Sequence, residues 1–432
     1  HAWGPVLRRR GGLRSFAAAD PAKGEAMRGD EARDTGALVG TALGEVAEVV
    51  RDVHKALAHR LFTRIGGAAR PARLVHDGIS AIAYTSTRVG VRVIPAAIGL
   101  AAMAKIDPAA LSVHENPRGR FALGALNGFW GDRLAEQRPA LAPPMRIRAH
   151  AGQLRKDPAN VVHDVADTAT GRIIVFLHGL CESDVSWSFR AVKTWGERTV
   201  TYGSLLRDER GWTPLYAAFN SGLHISANGL DLAQQLDAIV ADWPVPVTDV
   251  TLVGHSMGGL IARSAAHQAA ELGLPWVTSL RHLVGLGAPH LGAPLERAVN
   301  KGTHAMAKLP ETRPLATWLN RRSVGIKDLR HGALVEADWS GFDPEDHQDN
   351  CTDVAFLPDV AYYAVSATLS REPASRLPFL GDLLVDHASA TGNGPRRRLA
   401  FEVQRSLHVG GKHHFHLLGD PVIYRHLRDW LG

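Results

Sequence analysis

Val250-Thr-Leu-Val-Gly-His-Ser-Met-Gly-Gly-Leu-Ile-Ala-Arg263 is the stretch that decides how the chain is read. Val250–Val253 is a short apolar run of the kind that forms a buried strand, and Gly258 to about Leu272 carries a helical pattern. Between them, Gly254-His255-Ser256-Met257-Gly258 fits G-x-S-x-G, with a further glycine at 259. A serine in such a strand-to-helix turn sits in a strained backbone conformation, so the residues two before and two after it must be small. The turn lifts the hydroxyl above the sheet edge, near the positive end of the following helix. The alternative for the same residues is a Gly-rich turn whose serine only caps the helix.

Working outward, the same texture repeats. Strands are expected at Arg172–His178, Leu215–Phe219, Val250–Gly254, His282–Leu286 and Ala361–Ala367, with helices at Leu230–Val240 and 258–272. Strands separated by helical patterns predict an α/β fold with a mostly parallel sheet covered on both faces.

A serine hydroxyl is a weak nucleophile and needs a base, an acid to orient the base, and donors for a developing oxyanion. His178-Gly179-Leu180 ends the first long strand, and a His-Gly pair there turns the chain so that an amide faces the serine. The expected donors are the N–H groups of Leu180 and Met257, with His178 holding the loop by hydrogen bonds. Asp382 follows the 361–367 strand by a loop and is the expected acid, with Asp386 as its nearest rival and Asp353 and Asp359 behind. The base is expected among His413, His414 and His416, and position favours His414. Adjacent histidines with no cysteine nearby lack zinc-type spacing, so no metal site is expected there.

Phe176-Leu-His-Gly-Leu180, Gly254-His-Ser-Met-Gly-Gly259 and Gly287-Ala-Pro-His-Leu-Gly292 together resemble the lipase and esterase branch of the α/β-hydrolases. That group includes bacterial triacylglycerol lipases and hydrolases similar to GPI inositol-deacylases. The resemblance implies an α/β-hydrolase fold over residues 145–432 and a triad in the chain order Ser256, Asp382, His414. It also implies an acyl site bordered by the 287–292 segment, so His178, Gly179, His255 and His290 are candidate substrate-binding residues. Gly381-Asp382-Leu-Leu-Val385 is similar to a family segment that has glycine where Leu383 stands here. His414-Phe-His-Leu-Leu418 is similar to the segment with the family histidine, with His416 where an aspartate is common. The implied activity is cleavage of a carboxylic, lipid-like ester without a cofactor. The same triad also serves an acyltransferase, and a catalytically silent lipid-binding protein is the non-enzymatic rival.

The remaining chain is less specific. Residues 1–34 are rich in Gly, Ala, Arg and Asp without apolar periodicity, and are expected to be disordered. Arg8–Arg10 are not followed by an apolar core, so no secretory signal is read, and Met27 is a candidate native start. Residues 35–144 are expected to form a helical region, from runs at 37–62, 72–91 and 121–137 and an apolar segment at 93–104 that is too short to span a bilayer. Those helices are read as packing beside the core rather than as a membrane-contact surface.

The formal charge of +6 is uneven, about +9 in residues 1–150 and −3 beyond. It suits an anionic surface, but no nucleic-acid motif accompanies it. A cytoplasmic, possibly membrane-peripheral location is the expectation. Residues 294–341 leave the strand–helix rhythm and read either as a lid-like insertion or as a core-packed helix pair. The acidic run 343–349 reads as a solvated loop rather than a calcium site, and Cys181 and Cys351 as free thiols.

Overall fold

The computed structural model describes residues 26–65, 70–103, 112–114, 117–150, 161–371, 381–395 and 397–432. The strands are β1 (Arg146–Arg148), β2 (Arg172–Leu177), β3 (Thr213–Ala218), β4 (Asp249–His255), β5 (Leu280–Leu286), β6 (Ala361–Thr368) and β7 (Ser406–Gly410). The helices that matter below are α1 (Ala26–Ile65), α2 (Arg70–Met103), α3 (Pro117–Gln137), α4 (Tyr202–Arg210), α5 (Ile225–Ala241), α6 (Met257–Glu271), α7 (Pro294–Ala307), α8 (Arg313–Leu319) and α9 (Pro421–Trp430).

The sheet runs β1-β3-β2-β4-β5-β6-β7. All neighbours from β3 to β7 are parallel, and β1 pairs antiparallel with β3. Parallel strands covered on both faces must be apolar throughout, and Ile173–Leu177 are completely buried. Helices α5 and α6 cover one face through Leu232, Leu236, Leu260 and Ile261. Helices α4 and α9 cover the other through Tyr202, Leu206, Ile423 and Leu427. From β2 the chain steps outward to β3, then returns past β2 to β4. Such a reversal leaves a crevice at the carboxyl ends of the strands, here β2 and β4. His178 and Ser256 immediately follow those two ends.

Two strands escaped the sequence reading. β1 is three residues long and β7 is Ser-Leu-His-Val-Gly, neither with an apolar run to announce it. The N-terminal half differs more. Helix α1 starts at Ala26, inside the 1–34 segment expected to be disordered, and residues 1–25 lie outside the described residues. Its first turns are held by Glu31, whose carboxylate accepts from Ser112 Oγ and from the Val113 amide. The run at 72–91 and the apolar segment after it form one helix, α2, which carries Pro95 within it. No helix among the described residues is long and apolar enough to cross a membrane. Along α1, Val39, Leu43, Val46, Val50, Leu57 and Leu61 remain exposed.

Helix α3 falls within the 35–144 region expected to stand apart, but it packs against the loop that follows β2. Arg120 donates to Asp184 at 2.9 Å with both side chains buried. A Cβ at Gly124 would lie 2.3 Å from the carbonyl oxygen of Glu182, and one at Gly128 would lie 2.8 Å from the amide of Cys181. A boundary at 144 therefore divides a single packed unit.

The 294–341 insertion is tied down rather than uniformly loose. Buried Glu296 accepts from Arg322 at 2.8 Å and Arg330 at 3.2 Å. Ser323 donates from its amide to Phe129 at 2.8 Å, and the amide of Val324 donates to Asp132. Arg60 of α1 meets Glu311 between α7 and α8 at 2.7 Å.

Candidate active site

At the end of β4, Ser256 takes φ 54° and ψ −124° and becomes the N-cap of α6. A positive φ is costly for a non-glycine residue and persists only where the surroundings enforce it. The Ser256 amide donates to Leu286 at 2.9 Å, which fastens the turn to the end of β5. A Cβ at Gly254 would come within 2.3 Å of the Gly258 carbonyl carbon, and one at Gly258 within 2.5 Å of the Leu177 oxygen. The small residues of G-x-S-x-G are thus a steric requirement of this turn.

Gly179 lies directly across from the serine, since a Cβ there would sit 3.0 Å from Ser256 Cβ. The Gly179 carbonyl accepts from His178 Nδ1 at 2.9 Å and from the Glu182 amide at 3.3 Å. A planar trans peptide directs the next N–H opposite to that carbonyl, so both bonds set the direction of the Leu180 amide. That amide donates to no other described residue. Met257 opens α6, where a helix leaves its first amides without an internal acceptor.

Asp382 and His414 meet at 2.6 Å, Oδ2 accepting from Nδ1. The other carboxylate oxygen accepts the amides of Leu384 at 3.0 Å and Val385 at 2.9 Å, and the His414 amide donates back to the Asp382 carbonyl. Burial alone would raise the Asp382 pKa. The imidazole and the two amides outweigh it and hold the carboxyl below its ordinary value. Leu383, at φ 90°, forms the left-handed corner of this loop without the glycine that such a corner favours.

His414 Nε2 is buried and has no hydrogen-bond partner among the described residues. A Cβ at Gly287, next to the residue that accepts from Ser256, would be 3.1 Å from His414 Cε1, so the ring lies against the serine turn. The Ser256 hydroxyl makes no hydrogen bond to another described residue, and such contacts often form only with substrate bound.

The rival residues are occupied elsewhere. Asp386 caps the short helix His387–Ala390 by accepting from the Ser389 amide at 2.6 Å. His413 and His416 pack against each other, their ring centroids 3.7 Å apart and their planes tilted by 49°.

Of the four expected substrate contacts, His178, His255 and His290 have wholly or almost wholly buried rings whose neighbours are other protein groups. His178 stacks on Phe219 and accepts its amide at Nε2, and burial depresses its pKa. His290 lies beneath the site with Nδ1 3.4 Å from Arg263. Burial, then the neighbouring guanidinium groups, keep it neutral.

His255 faces Glu182 at 2.9 Å. Glu182 was missed by the sequence reading. The acidic Glu182-Ser-Asp184 triplet directly after His-Gly-Leu-Cys was the available signal, but acidic loops are usually solvated and nothing local marks these two carboxylates as buried.

The sheet order, the serine turn and the loop after β2 are those of the α/β-hydrolase fold. Residues 168–355 match the family described as PGAP1-like alpha/beta domain. Among solved structures the chain is similar to the mature lipase BlEst2 of Bacillus licheniformis, at 19% identity over 60% of this chain and 91% of that one, with a TM-score of 0.38. It is similar also to an esterase of Pyrobaculum calidifontis, at 13% identity over 74% of this chain and 92% of that one, with a TM-score of 0.35. No curated protein matches the chain.

Proposed function

We propose that the protein is a serine hydrolase that cleaves carboxylic, lipid-like esters through an acyl-enzyme on Ser256. The observation that carries this reading is the buried Asp382–His414 pair held against the serine turn, with His414 Nε2 lacking a partner among the described residues. A buried polar atom without a partner requires an explanation, and a base awaiting a proton supplies one.

In the proposed reaction His414 Nε2 takes the Ser256 proton as Oγ attacks the ester carbonyl. Asp382 holds the proton on Nδ1 and stabilises the imidazolium that forms. The Leu180 and Met257 amides receive the oxyanion. The imidazolium then protonates the departing alcohol. A water molecule, deprotonated by His414, attacks the acyl-enzyme and releases the acid and the serine.

The test is fluorophosphonate labelling of the parent and of Ser256→Ala, with hydrolysis of p-nitrophenyl esters of increasing acyl length. Labelling and turnover confined to the parent support the reading, and preference for long acyl chains supports the lipid-like substrate. A parent that takes no label and turns over no ester refutes it.

A further inference from the structure

The ring of His255, the residue immediately before the serine, lies between two acceptors. Nδ1 is 2.9 Å from Glu182 Oε1, and Nε2 is 3.3 Å from the main-chain oxygen of His414. Neither a carboxylate nor a carbonyl can donate. A neutral imidazole has only one N–H, so it would leave a lone pair facing an oxygen at one end; an imidazolium satisfies both. The other oxygen of Glu182 accepts the Gly179 amide at 3.0 Å. One unbroken chain thus runs from the donor loop, through Glu182 and His255, to the backbone of the base.

Resting on the Ser256 mechanism above, we propose that Glu182 and His255 are positioning residues, a buried carboxylate–imidazolium pair that fixes the oxyanion loop and the His414 loop relative to each other. Removing one buried partner leaves the other uncompensated, which accounts for the pair occurring as a unit. The pKa directions agree. Burial opposes the charge on each member, but for His255 the Glu182 charge outweighs it and raises the pKa, and for Glu182 the His255 charge and the Gly179 amide lower it.

The titratable groups facing His255 are Glu182 and His178 from the loop after β2, and Asp382 and His414 from the two loops beyond β6 and β7. Glu182 and Asp382 favour the imidazolium and His178 opposes it. A raised His255 pKa means that the pair's contribution is complete below about 6.5 and is lost as pH rises through the folded value.

The experiment combines nitrogen-15 NMR of the histidine rings in the full chain with kinetics of Glu182→Gln and Glu182→Asp. In the parent near neutral pH, both His255 nitrogens are expected to carry protons. Glu182→Gln is expected to lower kcat about 10–100-fold with KM nearly unchanged, the size of effect that a misplacement of about 1 Å produces. Its alkaline loss of activity should begin at lower pH, and Glu182→Asp should recover part of kcat. A neutral His255 in the parent overturns the proposal, as does a Gln variant that loses thermal stability but keeps the parent kcat. If the Gln variant does not fold, the NMR state of the parent alone decides. Should the parent lack both label and turnover, the Ser256 mechanism fails, while the His255 protonation state still reports on the pair.

Discussion

Replacing Asp382 with asparagine tests the site sharply, because the surrounding backbone dictates how the amide must sit. Two main-chain donors, Leu384 N and Val385 N, point at Oδ1, and His414 Nδ1 faces Oδ2 at 2.6 Å. In Asp382→Asn the carboxamide oxygen goes to the two amides, since the reverse orientation sets –NH2 against two N–H groups. The side-chain nitrogen then faces His414 Nδ1 as a donor. The imidazole must accept there and move its proton to Nε2, where it can no longer take a proton from Ser256.

A wrong tautomer in an intact triad lowers turnover by about four orders of magnitude, or about 5 kcal/mol of barrier. Stability changes less, because the amides keep their acceptor. One charge-assisted hydrogen bond is lost, worth about 1.5–3 kcal/mol.

The assay is kcat on a p-nitrophenyl ester beside calorimetric unfolding. Asp386→Ala serves as control, expected to remove about 1 kcal/mol of capping and leave kcat in place. Because the Asp382 pKa is depressed, its contribution is present above about 4 and is lost as pH falls through the folded value. The parent should therefore lose more stability on acidification than Asp382→Asn. An asparagine variant within tenfold of the parent kcat would refute the reasoning.

Leu383→Gly should stabilise the protein by up to about 1 kcal/mol, because an exposed side chain at φ 90° contributes strain and little packing. Thermal unfolding checks this, and an unchanged or lower midpoint counts against the strain. Cys181 and Cys351 are unbonded, and burial raises their thiol pKa values to about 11 and about 12. Both should resist alkylation at pH 8 until the protein unfolds, and rapid labelling of the folded chain would contradict that environment.

The five apolar strand runs and the Gly254–Gly258 turn were legible because their signals are local. A strand buried on both faces must be apolar throughout, and this turn cannot hold a Cβ at 254 or 258. His414 and Asp382 could be named from chain order and motif, although 32 residues separate them, and only the sheet brings them to one end. The edge strands β1 and β7 were invisible, since their partners rather than their composition make them strands.

The same limit separates the rest. Sequence alone determined the fold class and the tight turn at Ser256, because a buried strand and a G-x-S-x-G turn are each imposed by residue type and spacing within a dozen positions. Tertiary structure alone decided that α3 buttresses the loop after β2 and that His178 and His290 are internal. It also placed Glu182, which reads as a surface acid, in the core facing His255. Burial and long-range pairing arise from the whole packed chain, and no local window of residues contains them.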